Sequence, residues 1–177
     1  MQFLFNNLLR FKLDTGKLSF VRMFSSQPSI SNFTYVFVYG TLKKGEPNHF
    51  ILEDSSNGYS KCLFEAKTKS KYPLIIGSPY NIPFMIDLKS TGFNVCGEVY
   101  VVDDKMLAVL DELEEHPNVY KRRKEDIIFK EGEKEKCFDD AWMYFYQLYS
   151  PEMLKLPMLE SYSNARHHSP YVPRNMR

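Results

Sequence analysis

Apolar and β-branched residues come along the chain in short bursts separated by turn formers, the rhythm of strands rather than of long helices. Residues 35–39 (Tyr-Val-Phe-Val-Tyr) are all β-branched or aromatic, the composition of a strand buried on both faces. Gly40 breaks that run, and 47–53 can open a short helix because proline is tolerated in a first turn. Further strands are expected over 62–68, 74–76, 84–88, 95–101, 120–129 and 141–146, with a loop at 77–83 and a solvated turn at 131–136. One stretch, 103–117, has helical period instead. Asp103 or Asp104 can cap it, Pro117 can stop it, and Met106, Leu107, Val109, Leu110 and Leu113 share one apolar arc. Many short strands, few helices and no internal repeat argue for an α+β fold with the sheet curled into a barrel.

Two places on this pattern could carry chemistry. On the helix, Asp111, Glu112 and Glu115 fall outside the apolar arc, where water solvates them. Glu114 does not. It projects between Leu107 and Leu110, and a carboxyl in apolar surroundings has its pKa raised toward neutrality, the condition for acid–base work. The plainer alternatives are a glutamate paired at the edge of the arc or snorkelling outward. Glu98 is the rival: on the alternating strand it shares a face with Cys96 and Tyr100, opposite Val95, Gly97, Val99 and Val101. A mid-strand glutamate is usually solvated or paired, so Glu114 is preferred. The second place is the end of the first strand. Gly40-Thr41 leaves backbone N–H groups beyond the last ladder bond, and either an ordinary turn or a ligand oxygen can satisfy them.

Tyr39-Gly40-Thr41-Leu42 followed by an Asp-Glu-Leu-Glu helix resembles the γ-glutamylcyclotransferase family. The longer run 38–49 (Val-Tyr-Gly-Thr-Leu-Lys-Lys-Gly-Glu-Pro-Asn-His) is similar to its γ-glutamylamine cyclotransferase branch. So are Tyr72-Pro73-Leu74-Ile75-Ile76, Asn81-Ile82-Pro83, Gly97-Glu98-Val99-Tyr100 and Tyr171-x-Pro173-Arg174-Asn175. The ordered set spans about residues 35–177. The resemblance implies a small mixed β-barrel with helices packed outside it, and cleavage of a small-molecule γ-glutamyl compound to 5-oxoproline and a free amine. It assigns substrate binding to Tyr39, Gly40, Thr41 and Leu42, and the acid–base role to Glu114. No cofactor and no metal are implied. The continuation Thr41-Leu42-Lys43-Lys44-Gly45 points to γ-glutamylamines such as ε-(γ-glutamyl)-lysine, whose methylenes Tyr72, Leu74, Ile82 and Pro83 could face as an apolar wall. Leu113-Glu114-Glu115-His116 departs from that branch, which more often carries an aromatic residue and Ser-Cys there. A non-catalytic binding module on this fold, or a cyclotransferase for other γ-glutamyl compounds, are the alternatives.

Composition narrows the rest. The 177 residues suit one folded domain, and 44% hydrophobic with 15% aromatic residues favours a globular chain. A net charge of +1 with no basic stripe argues against nucleic acid, and no apolar run approaches a membrane span. Cys62, Cys96 and Cys137 are odd in number and widely spaced, as free thiols in a reducing compartment would be. The four histidines lack ligand spacing.

Residues 1–32 stand apart as a leader and linker ahead of a domain at 33–177. Arg10, Lys12, Lys17 and Arg22 face one acid, Asp14, and the first 24 residues resemble a mitochondrial transit peptide ending at Arg22-Met23-Phe24. The location is therefore cytoplasmic or mitochondrial. Oligomeric state has no sequence signature here. The tail, 161–177, carries Arg166, Arg174 and Arg177 and no acid; it either frays or folds back at the cleft mouth.

Overall fold

The computed structural model describes residues 32–166 and 170–176, without the Asn175 side chain. The expected leader and transit-peptide pattern therefore lie outside the described residues. Five strands close a barrel: β1 (Thr34–Val38), β2 (Ser60–Thr68), β5 (Cys96–Val102), β6 (Tyr120–Glu131) and β7 (Lys134–Tyr146), in the order β1-β5-β2-β6-β7. β1 runs antiparallel to β5, with Tyr35 opposite Val101 and Phe37 opposite Val99. A parallel bridge from Val36 to Trp142 of β7 closes the ring, so the barrel is mixed. β3 (Leu74–Gly77), β4 (Ile82–Met85) and β8 (Met158–Leu159) form a separate sheet in the order β4-β3-β8. Among the described residues two α-helices accompany them, α1 (Phe50–Glu53) and α2 (Asp104–Leu113).

The α+β barrel expected from the hydrophobic pattern is the fold that forms, and β1 is its central piece. Val36 and Val38 join Tyr100, Val102, Met106 and Leu110 in one buried cluster, while Phe37 and Tyr39 join Val99, Ile127, Met143 and Phe145 in another. A strand buried on both faces must read as an unbroken apolar run, and 36–39 does. Gly97 lets β5 lie close against it, since a Cβ there would come within 2.3 Å of the Val38 carbonyl oxygen.

Four boundaries differ from the sequence expectation. β4 starts at Ile82, inside the segment expected as loop; Pro83 is tolerated because β4 is the edge of its sheet. β7 starts at Lys134 rather than 141, because pairing with β6 holds a charged hairpin arm that carries no apolar alternation (Lys130 opposite Glu135, Glu131 opposite Lys134). β8 is two residues long, too short for any periodicity. α2 ends at Leu113, four residues before Pro117, for a reason found at the site itself. Among the described residues, no helix is long and apolar enough to cross a membrane.

Candidate active site

The chain leaves β1 at Tyr39 and turns at once. Gly40 is needed there for space: a Cβ would sit 2.8 Å from Pro83 Cγ. The Lys43 N–H closes the turn on the Gly40 carbonyl at 3.2 Å. Asn48 then clamps it, its backbone N–H donating to the Thr41 carbonyl (2.9 Å) and its Nδ2 to Thr41 Oγ1 (3.0 Å). His49 Nδ1 lies 3.0 Å from the Leu42 carbonyl, a bond made by the Nδ1–H tautomer. Among the described residues, the Thr41 and Leu42 N–H groups donate to no backbone carbonyl. The turn is thus rigid, with donors left over.

Facing it is the C-terminal end of α2. Asp103 caps the other end, its Oδ1 accepting the Met106 N–H at 2.8 Å. At the C-terminus, the Glu115 N–H bonds the Glu112 carbonyl (3.1 Å) and the His116 N–H bonds the Asp111 carbonyl (2.9 Å). That pair of bonds is a Schellman motif, and it demands a left-handed residue at Glu115, whose φ is 50°. Glycine usually fills this position; a glutamate there costs about 1 kcal/mol, and without the glycine the sequence gives no stop signal before Pro117. The motif makes Glu114 the capping residue (φ −87°, ψ 1°) and fixes the direction in which its side chain leaves the helix.

Glu114 and the turn line one cavity of about 320 Å³, together with the rings of Tyr120, Tyr144 and Tyr146 and the side chains of Ile82 and Pro83. Every site residue expected from the sequence (Tyr39, Gly40, Thr41, Leu42 and Glu114) borders it. Glu114 is half-buried as a residue because the cavity opens onto it, while the carboxyl itself is surrounded by protein. Burial pushes its pKa up to about 7, against a smaller downward pull from the Arg174 guanidinium. Among the described residues, no hydrogen-bond donor reaches the carboxyl. Tyr39 donates its hydroxyl to the Tyr144 carbonyl (2.8 Å), and burial holds both the Tyr39 and Tyr120 phenols well above their ordinary range, hence neutral.

Glu98, the rival acid, lies away from the cavity and is paired: its carboxylate accepts the Lys44 N–H (3.0 Å to Oε2) and the Tyr100 hydroxyl (2.9 Å), holding the loop after β1. Two other expectations need correcting. Asp111 is not simply solvated. Arg122 donates to it through Nε (2.7 Å) and Nη2 (3.0 Å), and Tyr144 adds its hydroxyl (2.7 Å). Of the expected apolar wall, Ile82 and Pro83 line the cavity; Tyr72 and Leu74 are buried in the second core cluster and are not on the cleft. A surface grouping of Asp126, Cys137 and Asp139 has metal-donor spacing, yet Asp126 already pairs with Lys69 Nζ at 3.0 Å and the group is outside the cleft.

Sequence reasoning missed the clamp made by Asn48 and the cavity tyrosines beyond Tyr39, and left the tail open between fraying and folding back at the cleft mouth. Residues 170–176 fold back: the Val172 N–H donates to the Tyr80 carbonyl (2.9 Å), Asn81 Nδ2 donates to the Pro170 carbonyl (2.9 Å), and Asn48 Nδ2 reaches the Tyr171 hydroxyl (3.1 Å). The lone signal was the pairing of Tyr171 and Arg174 in an otherwise unpatterned tail.

The barrel thus sets a buried acid across a small cavity from a rigid backbone turn. The chain belongs to the gamma-glutamyl cyclotransferase, AIG2-like family, whose pattern matches residues 36–164. It is 44% identical over 138 residues to gamma-glutamylaminecyclotransferase B of Danio rerio, covering 77% of this chain and 72% of that protein. Against the gamma-glutamylaminecyclotransferase of Homo sapiens the identity is 38% over 150 residues, covering 80% and 98%. The crystal structure of an AIG2-like protein from Mus musculus aligns with a TM-score of 0.75 at 36% identity, over 82% of this chain and 99% of that one.

Proposed function

We propose that the protein is a γ-glutamylamine cyclotransferase, releasing 5-oxoproline and a free amine from compounds such as ε-(γ-glutamyl)-lysine. The observation that carries this reading is the Glu114 carboxyl, poised near pH 7 across a cavity from the Gly40–Leu42 turn. The substrate's own α-amine attacks its γ-carbonyl carbon, forming the ring C–N bond as the bond to the departing nitrogen breaks. Both reacting groups sit on one molecule, so the cleft need only fold it into an attack geometry. Glu114 takes the proton that the attacking nitrogen loses and delivers it to the departing nitrogen, and a group with pKa near the working pH does both with little bias. The Thr41 and Leu42 N–H groups meet the charge that develops on the carbonyl oxygen.

The leaving-side wall favours an unbranched amine. Ile82 and Pro83 present carbon, and the cavity volume is at the small end for ligand sites. Glutathione's leaving group is branched at the carbon next to the scissile nitrogen and carries a carboxylate further along, which such a wall would have to desolvate. The names of the relatives above support the same substrate class. We also propose that 1–32 is a leader outside the catalytic domain, since the family match begins at residue 36.

The test is 5-oxoproline release by the purified chain from ε-(γ-glutamyl)-lysine and from glutathione. The isopeptide should have the higher kcat/KM, and the Met23–Arg177 form should match the full chain. No release from either compound would overturn the activity; a higher value for glutathione would overturn the substrate class alone. A reporter fused to residues 1–30 tests the address, and diffuse cytosolic signal would count against a transit peptide.

A further inference from the structure

Arg174 is the single cationic side chain among the described residues that line the cavity. It comes from the tail, and its Nη2 donates both to the Leu113 carbonyl (2.9 Å) and to Glu115 Oε1 (2.7 Å), the residues on either side of Glu114. Leu113 is the last residue of α2, so its carbonyl belongs to the partial negative charge at a helix C-terminus, which a guanidinium satisfies. Glu115 is the left-handed residue that ends the helix. One side chain therefore braces both neighbours of the acid, and the tail is tied to the cleft through it.

We propose that Arg174 is a positioning residue, which fixes the Glu114 carboxyl toward the reacting amine and supplies the positive charge that lets it ionise. The proposal rests on the reading of Glu114 as the acid–base group. The other groups that face Glu114 cannot take that role. Tyr39 from the end of β1, Tyr120 from β6 and Tyr144 from β7 are phenols, as are the other tyrosines lining the cavity (Tyr80, Tyr146 and Tyr171), and Glu115 is itself negative. The helix terminus adds further negative potential beside the carboxyl. Arg174 is the countercharge, drawing the carboxyl's pKa down against burial. Without it, Glu114 stays protonated to higher pH and is a poorer base at neutrality.

Two variants separate charge from structure. Arg174→Gln can keep a hydrogen bond to the Leu113 carbonyl but carries no charge; Arg174→Lys keeps the charge. In rate profiles from pH 5.5 to 9 with ε-(γ-glutamyl)-lysine, the acid limb of kcat should move to higher pH in R174Q and remain near the parent's in R174K. At pH 7, kcat of R174Q should fall roughly tenfold, the scale of a lost charge at a helix terminus combined with a misplaced group, with KM and thermal midpoint changed far less. An R174Q limb lying on the parent's, or an R174K limb shifted equally far, would overturn the proposal. Direct titration of the Glu114 carboxyl by 13C NMR gives the same reading without turnover: its midpoint should rise in R174Q, and an unmoved midpoint refutes the role. If Glu114→Gln keeps normal turnover, the acid–base reading fails instead, which is a distinguishable result.

Discussion

Glu114 and Glu125 are both withdrawn from water, and they have opposite fates. Glu125, on β6, is buried among charges: Arg123 donates to its carboxylate, and Lys89 Nζ lies 3.3 Å away. Arg123 is itself held by Asp87 (2.7 Å) and the Tyr72 hydroxyl (3.2 Å), with its guanidinium stacked on the Phe145 ring at 4.4 Å. Glu114 has the cavity, three phenols within its field (Tyr39, Tyr120 and Tyr144) and a guanidinium committed to its neighbours. A buried carboxylate surrounded by cations is compensated and locked. One buried without a bonded cation has its pKa lifted to about 7 and remains free to exchange a proton. Burial alone does not mark a reactive acid; burial without a partner does.

The contrast is broken most sharply by removing each carboxylate's charge. Glu114→Gln should fold and lose roughly 10²–10⁴ of kcat, the range of one general acid–base group. Glu125→Gln should keep kcat within about threefold yet lose about 1–3 kcal/mol of stability in denaturant melts, because Arg123 keeps Asp87 but loses its buried partner. Glu98→Gln should likewise leave kcat nearly unchanged, since that carboxylate serves the Lys44 N–H. Should E98Q be the inactive variant, the wrong acid has been chosen.

A smaller effect sharpens the comparison through pH. The folded pKa of Glu114 lies above its ordinary value, so the native state holds a proton that the unfolded chain gives up. Its contribution to stability is complete below about pH 4.5 and is lost as pH rises through about 7. The stability of E114Q relative to the parent should therefore improve between pH 5 and pH 8, by roughly 1–3 kcal/mol. Thermal melts at several pH values check this, and the fixed cost of burying an amide cancels in the difference.

How much of this was legible in the sequence follows from which interactions are local. β1 could be read from 35–39 because a strand buried on both faces writes its burial into every residue. Glu114 stood out because its neighbours at Leu107 and Leu110 set a helical phase that the acid violates. The end of α2 was not legible: the Schellman motif is closed by Glu115, where a glycine would have announced it. Asp111 read as solvated because its partners, Arg122 and Tyr144, come from strands 11 and 33 residues away. Long-range pairing of that kind leaves no trace in helical spacing. The contacts of Arg174 were hidden for the same reason, although the Tyr171-x-Pro173-Arg174 pattern pointed to that part of the tail, and β7 before Ala141 is held by its hairpin partner rather than by its own composition.

The central claim is that Glu114 is an unpartnered acid tuned to neutrality, and its own titration tests it most directly. With 13C-carboxyl-labelled glutamate, the Glu114 resonance is the one absent from the E114Q spectrum. Its midpoint in the full-length parent should lie near pH 7, well above the ordinary carboxylate range. A midpoint near 4.5 would show a solvated or paired carboxylate and would contradict the account.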